Sequence, residues 1–491
     1  MSVPAPSCVG WAADGKATPN PDFLTKLEAA EVGGKTVVTV AVNEKATWGN
    51  GRKWDSEDIK VFFDHVKDSS YSWATVEGID KVEKVEIVDK QTAKVTFNSV
   101  YPDWSNALAG ITPRELMADA KTFNESMAGA TKFNNDYFAG PFKIKSYDES
   151  KQVITLERND KWWGATPKLE TVTLHVLDDS AMGQAFANKE IDVLDYIFSA
   201  DVYQQASGRD DAEVRQNTGL EWRHIMFNAS SGPLADKAVR QAITRACDRE
   251  AIAASDLARA RSGGPLPAPD LAGLPVDAKK TLLGNRFFLP VQEGYQDNST
   301  SWGHDVEAAK KLLDGAGWVA GSDGVRAKDG TKLELVITIP SNAPVATNEA
   351  NLLQKQLGEV GIKLSVSTVE IDKYFPEYIN KKNYALTAFT SEKTQYPLSN
   401  AGQYYASTSQ SNYTGLSVPE VDQYVAKIGS TPDGAERNKL ANELDKILWE
   451  NVFNIPIYQR MQLTAVPKTL RNFGAQGLAS FRPESIGYVK S

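Results

Sequence analysis

The sequence predicts an α/β protein of two or three domains, and three observations carry that expectation. Its 491 residues exceed what one hydrophobic core normally serves. Residues 333–369 read strand, helix, strand, a unit that requires a parallel sheet. Further amphipathic helices follow strand-like runs and carry their own start and stop residues.

In chain order, residues 36–42 form an apolar strand-like run, and Ser56 is the expected cap of a helix with Ile59, Phe62, Phe63 and Val66 on one face. Residues 82–88 and 93–97 alternate around Asp89-Lys90 as a hairpin. A second hairpin spans 139–158, opened by Gly140-Pro141 and turning at 148–150. Residues 223–227 are strand-like. Asp236 then precedes a helix striped by Val239, Ala242, Ile243 and Ala246. Asp305 is the expected cap of the next helix, with Gly315 and Gly317 as its stop. Residues 333–339 and 362–369 read as strands of a parallel sheet buried on both faces, joined by a helix over 351–360. Residues 384–390 form one more strand. Ligands of open α/β sheets sit beyond the C-terminal ends of strands, so the following loop, 391–405, is a physically motivated pocket wall. The segment 259–269 is rich in Gly, Pro and Ala and reads as a surface loop or a local insertion.

The balance of 54 Lys and Arg against 63 Asp and Glu gives a net charge of −9. That argues against nucleic acid as the partner, because neutralising phosphates takes clustered cations. Cys8 and Cys247 form no metal spacing and no disulfide framework, and the four histidines match no zinc motif. No cofactor or metal is expected. No apolar run approaches the ~18 residues of a membrane helix. Gly-x-Ser-x-Gly, His-Glu-x-x-His and phosphate-loop motifs are lacking.

Seven segments in order resemble the extracellular solute-binding proteins of family 5, the oligopeptide, dipeptide and nickel-binding group. They are 46–58 with Trp48, Trp54 and Asp58; 139–142; 156–164 with Arg158 and Trp162-Trp163; and 189–192. The remainder are Phe227-Asn228; 239–249 with Arg240 and Arg249; and 305–318 with Trp318. The variant in the loop after Thr390 is similar to an actinobacterial peptide-binding subgroup.

The resemblance implies a two-lobed periplasmic-binding-protein-like fold of type II, of the large cluster with an extra β-rich subdomain. Lobe I is expected over 1–222 plus 461–491, including the accessory subdomain at about 34–138, and lobe II over 223–460. Trp-rich segments would pack the accessory unit onto the main lobe. Arg158 and Arg249 would be structural ion-pair formers. The implied function is the substrate-binding subunit of an ABC importer. It would capture oligopeptides by hinge closure and deliver them to a membrane permease and its ATPase, as a monomer and without catalysis. Oligosaccharide or metal chelate is the alternative ligand, and a secreted hydrolase the more distant alternative. Relatives carry an export signal, a lipid-attachment cysteine and a first strand of lobe I; here that part is expected to be absent or replaced by residues 1–16.

Within the loop, Glu392, Gln395, Tyr396, Asn400, Tyr404 and Tyr405 are the candidate ligand-binding residues. The family's acidic anchor for a peptide amino group is not in register here. Glu392 either substitutes for it or is an exposed surface residue. Asn412 and Tyr413 close the pocket or begin the next helix. Tyr196, Phe198 and Asn228 come from the expected hinge, with core packing as the competing role. His224 is the one histidine near the expected cleft and the candidate if the ligand is a nickel chelate.

Overall fold

A computed structural model describes residues 8–72, 78–108, 110–127, 133–177, 179–197, 200–259 and 278–489. The segment 260–277, which holds most of the Gly/Pro-rich stretch, lies outside the described residues, as does Phe198.

Near the N-terminus a four-stranded antiparallel sheet is ordered Leu24–Val32, Lys35–Val42, Thr92–Phe97, Val82–Ile87. The expected β-rich unit thus takes its first strand from ten residues before position 34. That strand is exposed along most of its length, so it lacks the apolar alternation that marks its neighbour. The first helix, Ser56–His65, is capped by Asp55 and not by Ser56, with Asp58 closing a reciprocal capping box. Asp58 is buried and also accepts from Trp48 Nε1 at 3.0 Å and from Arg52 Nη2 at 2.6 Å. Phe23 packs at 5.5 Å on Trp54 and 5.3 Å on Trp163, which joins this unit to the hairpin Phe142–Asp148 and Val153–Arg158. A third strand, Thr171–His175, extends that hairpin.

The central sheet has five strands in the order Lys363–Val369, Glu334–Pro340, Leu386–Glu392, Ala212–Phe227, Asn454–Pro467. The first three are parallel, as the strand–helix–strand reading requires, and Ala212–Phe227 runs antiparallel to both of its neighbours. Burial on both faces does not hold: Val336 is 42% exposed and Val366 37%. The helix Pro344–Gly358 packs on this part of the sheet through Ala346, Ala350, Leu353 and Leu357, and Val336 lies on the opposite, open face. Asp236 and Asp305 cap their helices as expected.

Ala212–Phe227 and Asn454–Pro467 pair along nearly their whole lengths, with a register shift between Thr218 and Trp222. At that break Gly219 lies so close to Arg460 that an added Cβ would sit 2.6 Å from its carbonyl oxygen. Before the break, Ala212, Leu463 and Ala465 pack with Phe186, Leu194 and Ile197. Beyond it, Ile225, Phe227, Ile455 and Ile457 join a separate large core with Leu335, Ile337 and Leu353. One strand pair therefore serves two cores.

Arg158 and Arg249 are structural, but not chiefly as ion-pair formers. Arg158 donates to the carbonyls of Pro167, Lys168 and Leu169, and Arg249 to those of Leu283 and Pro456. Arg240 likewise binds the carbonyls of Leu234 and Asn451. These guanidinium groups satisfy backbone acceptors that packing has withdrawn from water. Among the described residues no helix is long and apolar enough to cross a membrane.

Candidate functional site

Alternation along Ala212–Phe227 sends Arg223, Ile225 and Phe227 into the main core and Trp222, His224 and Met226 to the opposite face. The antiparallel register sets Trp222 opposite Ser391 and His224 opposite Phe389, so these residues share that face. A pocket with its mouth open to solvent lies against it. The loop after Leu386–Glu392 forms one wall. Arg286, Phe287, Phe453 and Asn454 come from remote segments to form another.

Of the sequence-predicted residues, Glu392, Tyr396, Asn400, Tyr404, Tyr405 and Tyr413 line this pocket. Tyr405 is fixed by edge contacts with Phe287 at 5.5 Å and Phe453 at 5.9 Å. Gln395 is not part of the lining; its Nε2 donates to the Leu478 carbonyl at 3.4 Å. Asn412 is buried and braces the loop, donating to the carbonyls of Ala406 and Leu416 at 3.2 and 2.8 Å. Asn228 also holds a turn, through the Lys382 carbonyl at 2.7 Å and the Ser230 hydroxyl at 2.6 Å. Tyr196 stands behind the site. Burial first, and then the carboxylates of Glu221 and Glu392, push its phenol up to about 12.

Sequence reasoning passed over Trp222, Met226, Phe389, Arg286, Phe287, Phe453 and Asn454. For the strand residues a signal existed, since period-two alternation puts 222, 224 and 226 on one face. The others carry no local signal. Arg286 donates to Asn454 Oδ1 at 2.6 Å across 168 positions.

The cations of the pocket are already committed. Arg286 is wholly buried, 3.1 Å from Asp445, and stacks on Trp449 at 4.2 Å. Lys393 points its ammonium at the carbonyls of Arg286 (2.5 Å) and Asn285 (3.3 Å), and burial brings it down to about 7. His224 is packed between Trp222 at 4.5 Å and Phe389 at 4.4 Å, with Nε2 2.8 Å from Ser391 Oγ. Burial holds its pKa down at about 3, so the ring is neutral at physiological pH.

The acidic group at the rim differs. Glu392 is exposed and its carboxylate has no ion pair or hydrogen bond among the described residues. Its cross-strand neighbour Glu221 is met by Arg460 Nη1 at 2.9 Å. Two carboxylates placed directly opposite repel each other, and Arg460 relieves only one of them.

Three contacts tie the loop and the helix Gly434–Asn451 to N-terminal segments. Tyr396 Oη donates to Ser105 Oγ at 2.9 Å, and its ring meets Trp11 edge-on at 4.9 Å. Arg437 makes a two-pronged pair with Asp103, with Nη1 2.7 Å from Oδ1.

Comparison with known proteins agrees with this architecture. The profile of the bacterial extracellular solute-binding proteins, family 5, matches residues 18–414. An oligopeptide-binding protein of Mycobacterium tuberculosis is 31% identical over 484 residues, covering 97% of this chain and 78% of the relative. A periplasmic EDTA-binding protein superposes with a TM-score of 0.86 at 22% identity, over 99% of this chain and 91% of the other. The Bacillus subtilis oligopeptide-binding protein AppA, solved with a nonapeptide, gives 0.77 at 18% identity, over 99% and 93%. These two likenesses concern the two-lobed fold. By its profile match and its mycobacterial relative, this chain belongs to the bacterial extracellular solute-binding proteins of family 5.

Proposed function

We propose that the chain is the substrate-binding subunit of an ABC importer, and that it captures peptides by their amino terminus with Glu392 as the anchoring carboxylate. The observation that carries this is the contrast at the rim. Glu221 has Arg460, whereas Glu392 lines the pocket with no partner among the described residues. A ligand ammonium supplies the missing positive charge and relieves the cross-strand repulsion. The mycobacterial relative, an oligopeptide-binding protein, supports the peptide assignment.

Capture requires the lobes to move. We place the crossings at 219–222 and 459–461, which divides the chain into 1–222 plus 461–491 and 223–460. The register shift at Thr218/Trp222 and the side-chain-free Gly219 support that division. Tyr396, Trp11, Ser105, Asp103 and Arg437 then meet across the closed cleft. The closed form is what the membrane permease and its ATPase receive, on the outer side of the membrane and at the cell surface. Binding without turnover belongs to the same reading, and sustained product formation from bound peptide would sink it.

Calorimetry with Ala-Ala-Ala tests the anchor. Glu392→Gln keeps the shape and removes the charge. A charge-assisted hydrogen bond contributes about 1.5–3 kcal/mol, so the variant should bind at least about tenfold more weakly. Unchanged affinity excludes Glu392 as the anchor.

A further inference from the structure

Lys393 is a buried ammonium without a counter-ion. It follows the strand Leu386–Glu392 and lines the pocket with its Nζ 5.0 Å from the centre of the Trp222 ring. Two of its three protons meet neutral acceptors, the carbonyls of Arg286 and Asn285. No carboxylate comes within ion-pair distance of it among the described residues. Asp445 is engaged by Arg286 and by Asn298 Nδ2 at 2.9 Å, and Glu392 stands opposite Glu221. Burial outweighs the distant pull of Asp445, and Arg286 opposes that pull, which is why Lys393 falls to about 7. A charge withdrawn from water in this way is costly until an opposite charge meets it. Two more polar groups of the same pocket lack partners. His224 Nδ1 is buried without a hydrogen bond, and the Tyr405 hydroxyl has none among the described residues. The charge of Arg286 acts on both groups and that of Lys393 on His224, so they share one electropositive corner. Met226, Phe389 and Phe453 supply apolar wall. The cavity is narrow, about 70 Å³, where a single water needs ~10–15 Å³.

We propose that this pocket receives the carboxylate of an acidic side chain of the bound peptide, with Lys393 as its partner. The proposal rests on the reading of the chain as a peptide receptor, and not on the role of Glu392. A carboxylate takes the third Lys393 proton in a charge-assisted hydrogen bond and supplies the missing negative charge. The Tyr405 hydroxyl is a further donor on the same wall. His224 adds another when the Ser391 hydroxyl donates to Nε2 and leaves the ring proton on Nδ1. The apolar wall suits the methylene stem of such a side chain. A side-chain amide brings no charge, and a cationic side chain meets Arg286 and Lys393 as like charges. The carboxylate of a chain terminus offers the same chemistry, but its Cα carries a side chain and an amide as well, which a cavity of this size does not admit.

Calorimetry on the full chain and on Lys393→Met separates the cases. The probes are Glu-Ala-Ala, Ala-Glu-Ala and Ala-Ala-Glu, the same three with Gln, Ala-Ala-Ala with and without a C-terminal amide, and free glutarate. On the parent, one Glu peptide should bind at least about tenfold tighter than its Gln counterpart, and Lys393→Met should erase that advantage. Should the variant not fold, the Glu and Gln pairs on the parent decide alone. Equal affinity within every Glu and Gln pair overturns the acidic side chain and leaves peptide capture standing. A Glu advantage that survives in folded Lys393→Met overturns Lys393 as the partner. If amidating Ala-Ala-Ala weakens it tenfold on the parent and not on Lys393→Met, the pocket holds a chain terminus and the side-chain assignment falls. Glutarate binding with every peptide silent keeps the carboxylate pocket and overturns the peptide reading. Silence from every probe overturns both.

Discussion

Arg223–Glu349 and Arg437–Asp103 are both two-pronged arginine–carboxylate pairs withdrawn from solvent. Their surroundings differ. Arg223 projects from the central sheet and Glu349 from the helix that covers it, so the pair lies inside one core. Arg437 sits on the helix Gly434–Asn451, held by the Ile428 carbonyl at 2.9 Å, and reaches Asp103, which is 334 positions away. Breaking the first pair strands a charge with no route to water short of unfolding. On the proposed division of the chain, breaking the second strands a charge that water reaches as soon as the lobes part. Equal chemistry can thus stabilise a fold in one place and a conformation in another, because the cost of a lost partner depends on how far the structure must open to rehydrate it.

The largest expected effect follows from the first pair. Glu349→Gln should destabilise the chain by about 3–5 kcal/mol, read from the shift of its denaturant midpoint. A loss below about 1 kcal/mol would mean that Asp256, which stands beside Glu349 and Arg223, takes over as the counter-charge.

Arg437→Met should lower global stability by much less, about 1 kcal/mol or under, because opening rehydrates Asp103. Its signature is conformational: the ligand-free chain should show a larger radius of gyration by X-ray scattering than the parent. An unchanged radius together with a large fall in melting temperature would make this pair a fold element like the first.

The smallest effect belongs to Asp256. Burial, and then the neighbouring Glu349, raise its carboxyl well above the usual carboxylate range, while Asn348 Nδ2 donates to Oδ1 at 2.9 Å and Arg223 pulls the other way. The folded state therefore holds this proton more tightly than the unfolded chain. Its contribution to stability is full below the unfolded pKa of ~3.9 and is lost as pH rises through the folded value. Asp256→Asn removes that loss, so the variant should gain on the parent as melting is followed from pH 4 to pH 8. Parallel profiles would show that Asp256 is ionised in the fold.

Much of this was legible before any fold was known. Residues 333–369 specify strand, helix and strand by their own periodicity, and Asp236 and Asp305 announce their helices by capping chemistry. The loop carrying Glu392, Tyr396, Tyr404 and Tyr405 could be located because it follows a strand of a parallel sheet. Asn412 and Gln395 are engaged with backbone carbonyls, which an amide in a loop serves as readily as a ligand. Trp222 and Met226 were within reach: alternation along their strand already separates them from Ile225 and Phe227.

The sequence by itself determined the local elements and the residue types of the rim, because periodicity, caps and turns act over a few positions. Tertiary structure decided which rim groups are available. Arg460 meets Glu221 and not Glu392, and Arg286 is consumed by Asp445 and Asn454, through contacts between segments more than 150 residues apart. Whether a charge is satisfied depends on what the folded chain brings within about 3 Å of it, and that distance is set by sheet register and core packing, which no short stretch of sequence encodes.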